Sequence, residues 1–147
     1  MQWMQGGHGS LLDFENALEY MTKAAELGDT EAHYGLSLMY QGVKGVEEDK
    51  EKEIYHLEQA AIGGHPEARH TLGCEEADSG RFERARKHFI IAANLGWHNS
   101  LKCVKDLYAA GHASKEEYAG ALRAYQAAVD ATKSAERKKA ETLCSGR

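Results

Sequence analysis

The chain is poor in residues that break helices and poor in the runs that would carry it out of water. Among 147 residues there is one proline, Pro66. No stretch of alternating β-branched residues occurs, so sheets have little to build on and an all-α chain is expected. No run of about 18 apolar residues appears, which argues against a membrane-spanning helix. The opening, Met1 to Gln5, has neither the basic nor the apolar segment of a secretory leader. Positive charge is short as well: 18 Lys and Arg face 23 Asp and Glu, a formal net charge of -5. A duplex-binding surface needs a basic excess to meet phosphates, so that class is demoted. Cysteine is sparse, and Cys74, Cys103 and Cys144 form an odd, widely spaced set. Such a set fits neither a disulfide framework nor a zinc ribbon, and it suits a reducing compartment. The expectation is a soluble, cytoplasmic chain with no membrane partner. With 42% hydrophobic and 28% charged residues, the chain has the composition of a folded domain, and its length suits one.

What the chain does contain is a phrase said three times: AAELG ending at Gly28, AAIGG ending at Gly64 and AANLG ending at Gly96. After each glycine an apolar stripe recurs at helical spacing. It reads Ala32, Gly35, Leu36, Met39 and Tyr40, then Ala68, Thr71 and Leu72, then Ser100, Cys103, Val104, Leu107 and Tyr108. Before each glycine runs a second kind of helix. Phe14, Ala17, Met21, Ala24 and Ala25 match Phe82, Ala85, Phe89, Ala92 and Ala93, and again Tyr118, Ala121, Tyr125, Ala128 and Val129. The remaining copy reads Lys50, Glu53, Leu57, Ala60 and Ala61, with Ile54 expected to stand in for its charged positions. Equivalent alanines are 36 residues apart from Ala24 to Ala60, 32 to Ala92 and 36 to Ala128. A lone pair of amphipathic helices cannot bury its stripe, whereas stacked copies make one core, so a repeat of helix pairs is expected. Alanines let backbones approach at the seams, Phe14, Leu57, Phe82 and Phe89 fill the space between, and the glycines end helices in a left-handed turn. Asp29 as an N-cap, Pro66 in a first turn and a Ser114/Glu117 capping box supply start signals.

The segment AHYGLSLMYQGVKGVEEDKEKEIYHLEQAAIGG, Ala32 to Gly64, resembles a Sel-1-like repeat in its order of alanine, leucine, small residue, tyrosine, glycine, glycine-valine, aspartate, alanine pair and glycine. The likeness extends roughly from Gly6 to Val129. Gly7 to Asp13 looks like the loop of an opening repeat whose first helix is nearly absent. The middle repeat drops four residues, shrinking its loop to Asp78-Ser79-Gly80 and replacing a tyrosine by Glu76, which brings it nearer a tetratricopeptide unit. In the last copy Thr132 replaces the terminating glycine. The helix is therefore expected to run on toward Cys144 as a polar end cap, with Lys133, Arg137 and Lys138 complementing its C-terminus.

The resemblance implies a right-handed α-α superhelix, an α-solenoid of about three helix pairs with an N-terminal partial repeat and a C-terminal capping helix. The expected layout is one domain over 1-147, with a partial repeat at 6-28, repeats at 29-64, 65-96 and 97-132, and an extension at 133-147. It further implies a non-catalytic adaptor or scaffold that holds a protein or peptide on its concave side. Carried over position by position, that side takes Glu31, Tyr34, Leu38 and Gln41, then Glu67, His70 and Cys74, then Asn99, Lys102 and Asp106. Any of these can equally be ordinary solvated helix surface. An uncapped first repeat would expose apolar surface around Phe14 and Met21, partly covered by Trp3 and Met4, and invite dimerisation.

Two other functions compete. Arg81, Arg84, Arg86 and Lys87 form a basic cluster for a nucleic-acid-associated module, but Phe82 and Phe89 belong to the core stripe, so no exposed aromatic platform interleaves it. His70 and Cys74, four apart, could form the thiol-imidazole pair of a thiol-dependent hydrolase. Glu75, Glu76 and Asp78 beside them would raise the thiol pKa, and no orienting third group stands out. Eight histidines include His56 and His88 at equivalent positions, expected as a row on one surface. No Cys-x-x-Cys or His-Glu-x-x-His motif supports a metal, and no cofactor is expected.

Overall fold

The computed structural model describes residues 7-43 and 46-145, with side chains from Asp13 onward. Among these residues there are seven helices and no strand: α1 (Gly7–Glu26), α2 (Thr30–Met39), α3 (Lys50–Ile62), α4 (Pro66–Asp78), α5 (Phe82–Asn94), α6 (His98–Ala109) and α7 (Lys115–Ser145). The chain divides into two compact units, Met1–Arg69 and His70–Arg147.

In the first unit the repeated glycines act as the turn chemistry requires. Gly28 and Gly64 take φ of 94° and 95°, a region that costs glycine nothing and other residues a backbone clash. Asp29 then caps α2, its carboxylate accepting from the N–H groups of Glu31 and Ala32 at 2.9 and 3.3 Å. The stripe on α2 is inward: Ala25 with Ala32, Leu36, Met39 and Val46 form a buried cluster, against which Phe14, Ala17, Met21 and Tyr40 pack. Leu57, Ala60 and Ala61 are buried on α3.

Three expectations for this unit need correction. Residues 7-13, expected as a loop, are the start of α1. No proline interrupts them, and glycine within a helix costs only about 1 kcal/mol relative to alanine. Phe14 and Met21 are not an exposed patch; both pack half-buried onto the cluster, while Tyr20 and Leu27 are exposed. On α3, Glu53 itself occupies the buried stripe at 5% exposure, with Ile54 only half-buried. A buried carboxylate is tolerable only with partners, and Glu53 has two: Gln41 Nε2 donates at 3.1 Å and Lys50 Nζ lies 3.6 Å away. Trp3 and Met4 lie outside the described residues.

In the second unit α5, α6 and α7 close around Ala85, Phe89, Ala93, Leu101, Val104, Leu107 and Ala121. Gly96 again turns the chain at φ 93°. Ser114 and Glu117 form the reciprocal capping box, each accepting from the other's backbone N–H at 3.0 and 2.9 Å. Phe82, expected in the core, is the first residue of α5 and stands at the surface, where it stacks on His112 with ring centroids 4.4 Å apart. Helix α7 runs without a break through Thr132 to Ser145, as the missing glycine implies. Its last turn holds no basic residue. Lys133, Arg137 and Lys138 lie more than one turn from the end, beyond the reach of the helix dipole.

Candidate partner-binding face

The face expected to hold a partner divides into two residue groups of different character. In the first unit, Glu31, Leu38 and Gln41 are exposed, Leu38 at 42%, and Tyr34 and Glu67 are half-buried. Their scaffold is His65, a buried side chain at 8% exposure. Its Nδ1 accepts from the Ala68 N–H at 3.2 Å. A backbone N–H can only donate, so the ring proton sits on Nε2 and points at Glu31 Oε2, 3.1 Å away. Tyr34 stacks on the same imidazole, centroids 4.5 Å apart and planes 21° from parallel. One neutral histidine thus caps α4 and fixes both Glu31 and Tyr34. His65 follows Gly64 where Asp29 follows Gly28, so the repeat alignment marks it as a cap, a signal the sequence reading passed over.

In the second unit, Asn99, Lys102 and Asp106 are exposed on α6. His70 and Cys74 are half-buried. His70 Nδ1 lies 2.7 Å from the buried Ser100 hydroxyl, and its ring tilts against Phe89 at 5.3 Å. Cys74 packs onto the core cluster, with Sγ 3.5 Å from His70 Nε2. The thiol-imidazole pair therefore exists as geometry, but its chemistry runs the wrong way. Burial first, then Asp78 and Glu75, pushes the Cys74 thiol up, whereas a nucleophilic cysteine needs its thiolate favoured. Cys103 is pushed up to about 11 by burial, then by Cys74 and Asp106, against a lowering by Lys102.

The basic cluster is largely answered by acids. Glu76 accepts from Arg81 and pairs with Arg84 at 3.9 Å. Arg86 lies 3.2 Å from Glu117 and 3.7 Å from Glu83, and donates to the His112 carbonyl at 3.1 Å. Lys87 is exposed. No group of three or more His, Cys, Asp or Glu is gathered for a metal among the described residues. His56 instead meets His33, a pairing that sequence spacing did not indicate. No described helix is long and apolar enough to cross a membrane.

Helix pairs joined by left-handed glycines, with alanine-lined inner faces, define a helical repeat protein of the α-solenoid class. Residues 2-29, 30-65 and 78-97 each match the Sel1 repeat, together more than half of the chain. The chain belongs to the Sel1 repeat family. It is 28% identical over 124 residues, 84% of its length, to an uncharacterized Sel1-like repeat-containing protein of Schizosaccharomyces pombe, of which it spans only 19%. A crystal structure of a Sel1 repeat protein from Oxalobacter formigenes is similar to it with a TM-score of 0.61 at 25% identity, covering 77% of this chain and 97% of that one.

Proposed function

We propose that the chain is a non-catalytic adaptor module that captures a protein or peptide on the exposed face of α2. Sel1 repeat proteins are in general protein-interaction modules. The observation that carries the reading to particular residues is the α2 face: Leu38, a large apolar side chain 42% exposed, stands on the same helix as Tyr34 and Glu31, both held by His65. A rigid aromatic beside an accessible apolar residue and a fixed carboxylate is what a docking face needs. Asn99, Lys102 and Asp106 are exposed on α6 and offer the second unit a polar surface of its own. His70 and Cys74 contribute packing more than contact, since both turn toward Phe89 and the core. The partner is a protein segment and not nucleic acid, in keeping with the net charge of -5 and the acid-matched arginines. Self-association would use Tyr20 on α1 and Leu27 just past its end.

The test is a capture experiment from cell extract with three immobilised forms. Proteins held by the parent should be lost from a chain carrying Tyr34→Ala and Leu38→Ala, and retained by one carrying Lys139→Glu on the exposed C-terminal part of α7. All three should keep the same helical spectrum. Equal capture by all three would remove this face from consideration.

A further inference from the structure

We infer that His33 and His56 form a pH-sensitive latch between α2 and α3, closed while at most one of the two rings is a cation and opened when both are. Their Nδ1 atoms lie 2.9 Å apart, with ring centroids at 5.1 Å. At that distance one Nδ1 must carry hydrogen and the other must be bare, since two N–H groups facing each other leave no acceptor. A first added proton makes one ring a cation and keeps that hydrogen bond; a second makes two cations in contact, leaves no bare Nδ1, and the two rings must separate. The two residues are 23 apart in sequence, on different helices.

The surroundings work against a second cation. On α3, Tyr55 meets both rings edge-on, at 6.3 Å from His33 and 5.0 Å from His56. Tyr40, at the end of α2, stacks on His56 at 5.8 Å with planes 5° apart. Lys52 Nζ sits 5.3 Å from the Tyr40 ring and adds a positive charge to that side. From α1, Glu26 lines the same cleft of about 480 Å³ as His33, His56 and Gln59. It is the one carboxylate there among the described residues, and its charge works against opening. Burial first, then His33, then Lys52, holds His56 below the ordinary histidine range. A histidine depressed in the folded state contributes stability that is whole above about pH 6.5, its unfolded value, and is lost as pH falls below it toward the folded value. Acidification therefore loosens α2 from α3, whether or not α2 carries the binding face proposed above.

The experiment is an imidazole nitrogen NMR titration of the whole chain from pH 8 to pH 5, with amide exchange protection measured alongside. His56 should take up its proton below pH 6.5, and the Nδ1 signals of both rings should change at that step. Protection in α2 and α3 should fall on acidification while that in α6 holds. One proton taken up on unfolding raises the unfolding equilibrium constant by up to about tenfold per pH unit. His56→Asn, which places a non-titrating amide near Nδ1, should remove that share of the slope. Independent titration of His56 at or above pH 6.5 with unchanged protection would overturn the latch, as would an unaltered slope in the variant. Should His56→Asn fail to fold at pH 7, the titration of the parent chain decides alone.

Discussion

Phe89 lies so close to the α-carbon of Gly73 that a β-carbon built there would meet its Cε1 at 2.6 Å and its Cδ1 at 2.7 Å. The ring is 3% exposed and, being rigid, can yield only by shifting within the core. Gly35 has a similarly tight neighbour, the Met21 Cε at 2.7 Å, but that atom is the far end of a flexible thioether. Both glycines are helical, so the gain in helix propensity on substitution by alanine, about 1 kcal/mol, is shared. Gly73→Ala should therefore destabilise the chain by about 1 to 2 kcal/mol net of that gain, while Gly35→Ala should be neutral or stabilising. Denaturant unfolding of the two variants checks this, and equal effects would contradict the packing described for one of them.

Ala60 is 0% exposed, with Leu57 and Ala61 buried beside it. Three more carbons at Ala60 have no room, so Ala60→Leu should cost about 1 to 3 kcal/mol through overpacking. Lys52→Leu on the exposed side of the same helix should cost less than about 1 kcal/mol, the contribution of its position over the Tyr40 ring. Thermal unfolding separates them. Comparable losses would mean that the face of α3 was read in the wrong register.

The parts of the fold that rest on periodic alanine, leucine and glycine were legible because burial and left-handed turns leave few residue choices. Gly28, Gly64 and Gly96 end helices where the repeated phrase ends, and Ala25, Ala32, Ala60, Ala85, Ala92 and Ala93 are all buried. The misreadings fall where a polar side chain found a partner distant in sequence. Glu53 could be expected inside only by knowing that Gln41, 12 residues back, reaches it. The His33 and His56 contact depends on the rotation of two helices, which periodicity fixes to about one face and not to one atom. Phe82 shows the opposite failure. It has the register of a core residue, yet at the first position of α5 it lies beyond the layer that would bury it. For the proposed binding face, helix membership was readable and side-chain orientation was not, which is why His70 and Cys74 were grouped with Glu67.

Helix α2 depends on one side chain for its start. Asp29 satisfies two backbone donors that α2 cannot satisfy internally. Asp29→Ala should cost about 0.5 to 2 kcal/mol, and Asp29→Asn much less, because the amide oxygen can still accept. The pair measured by urea unfolding tests the cap itself, since charge is removed in both variants.

Cysteine labelling discriminates between a structural and a catalytic thiol. Cys74, Cys103 and Cys144 are all present as thiols, and Cys144 is exposed near the end of α7. With Cys103 pushed up to about 11, only about one molecule in a thousand carries its thiolate at pH 8, and the thiolate is the reacting species. Cys74 is held up in the same direction by burial, Asp78 and Glu75, despite the imidazole 3.5 Å away. Iodoacetamide at pH 8 should therefore modify Cys144 first and leave Cys74 and Cys103 slow, as read by peptide mass mapping over time. Adding denaturant should bring all three to similar rates. Rapid modification of Cys74 in the folded chain would mean that His70 activates it, and would return a thiol hydrolase to consideration in place of an adaptor.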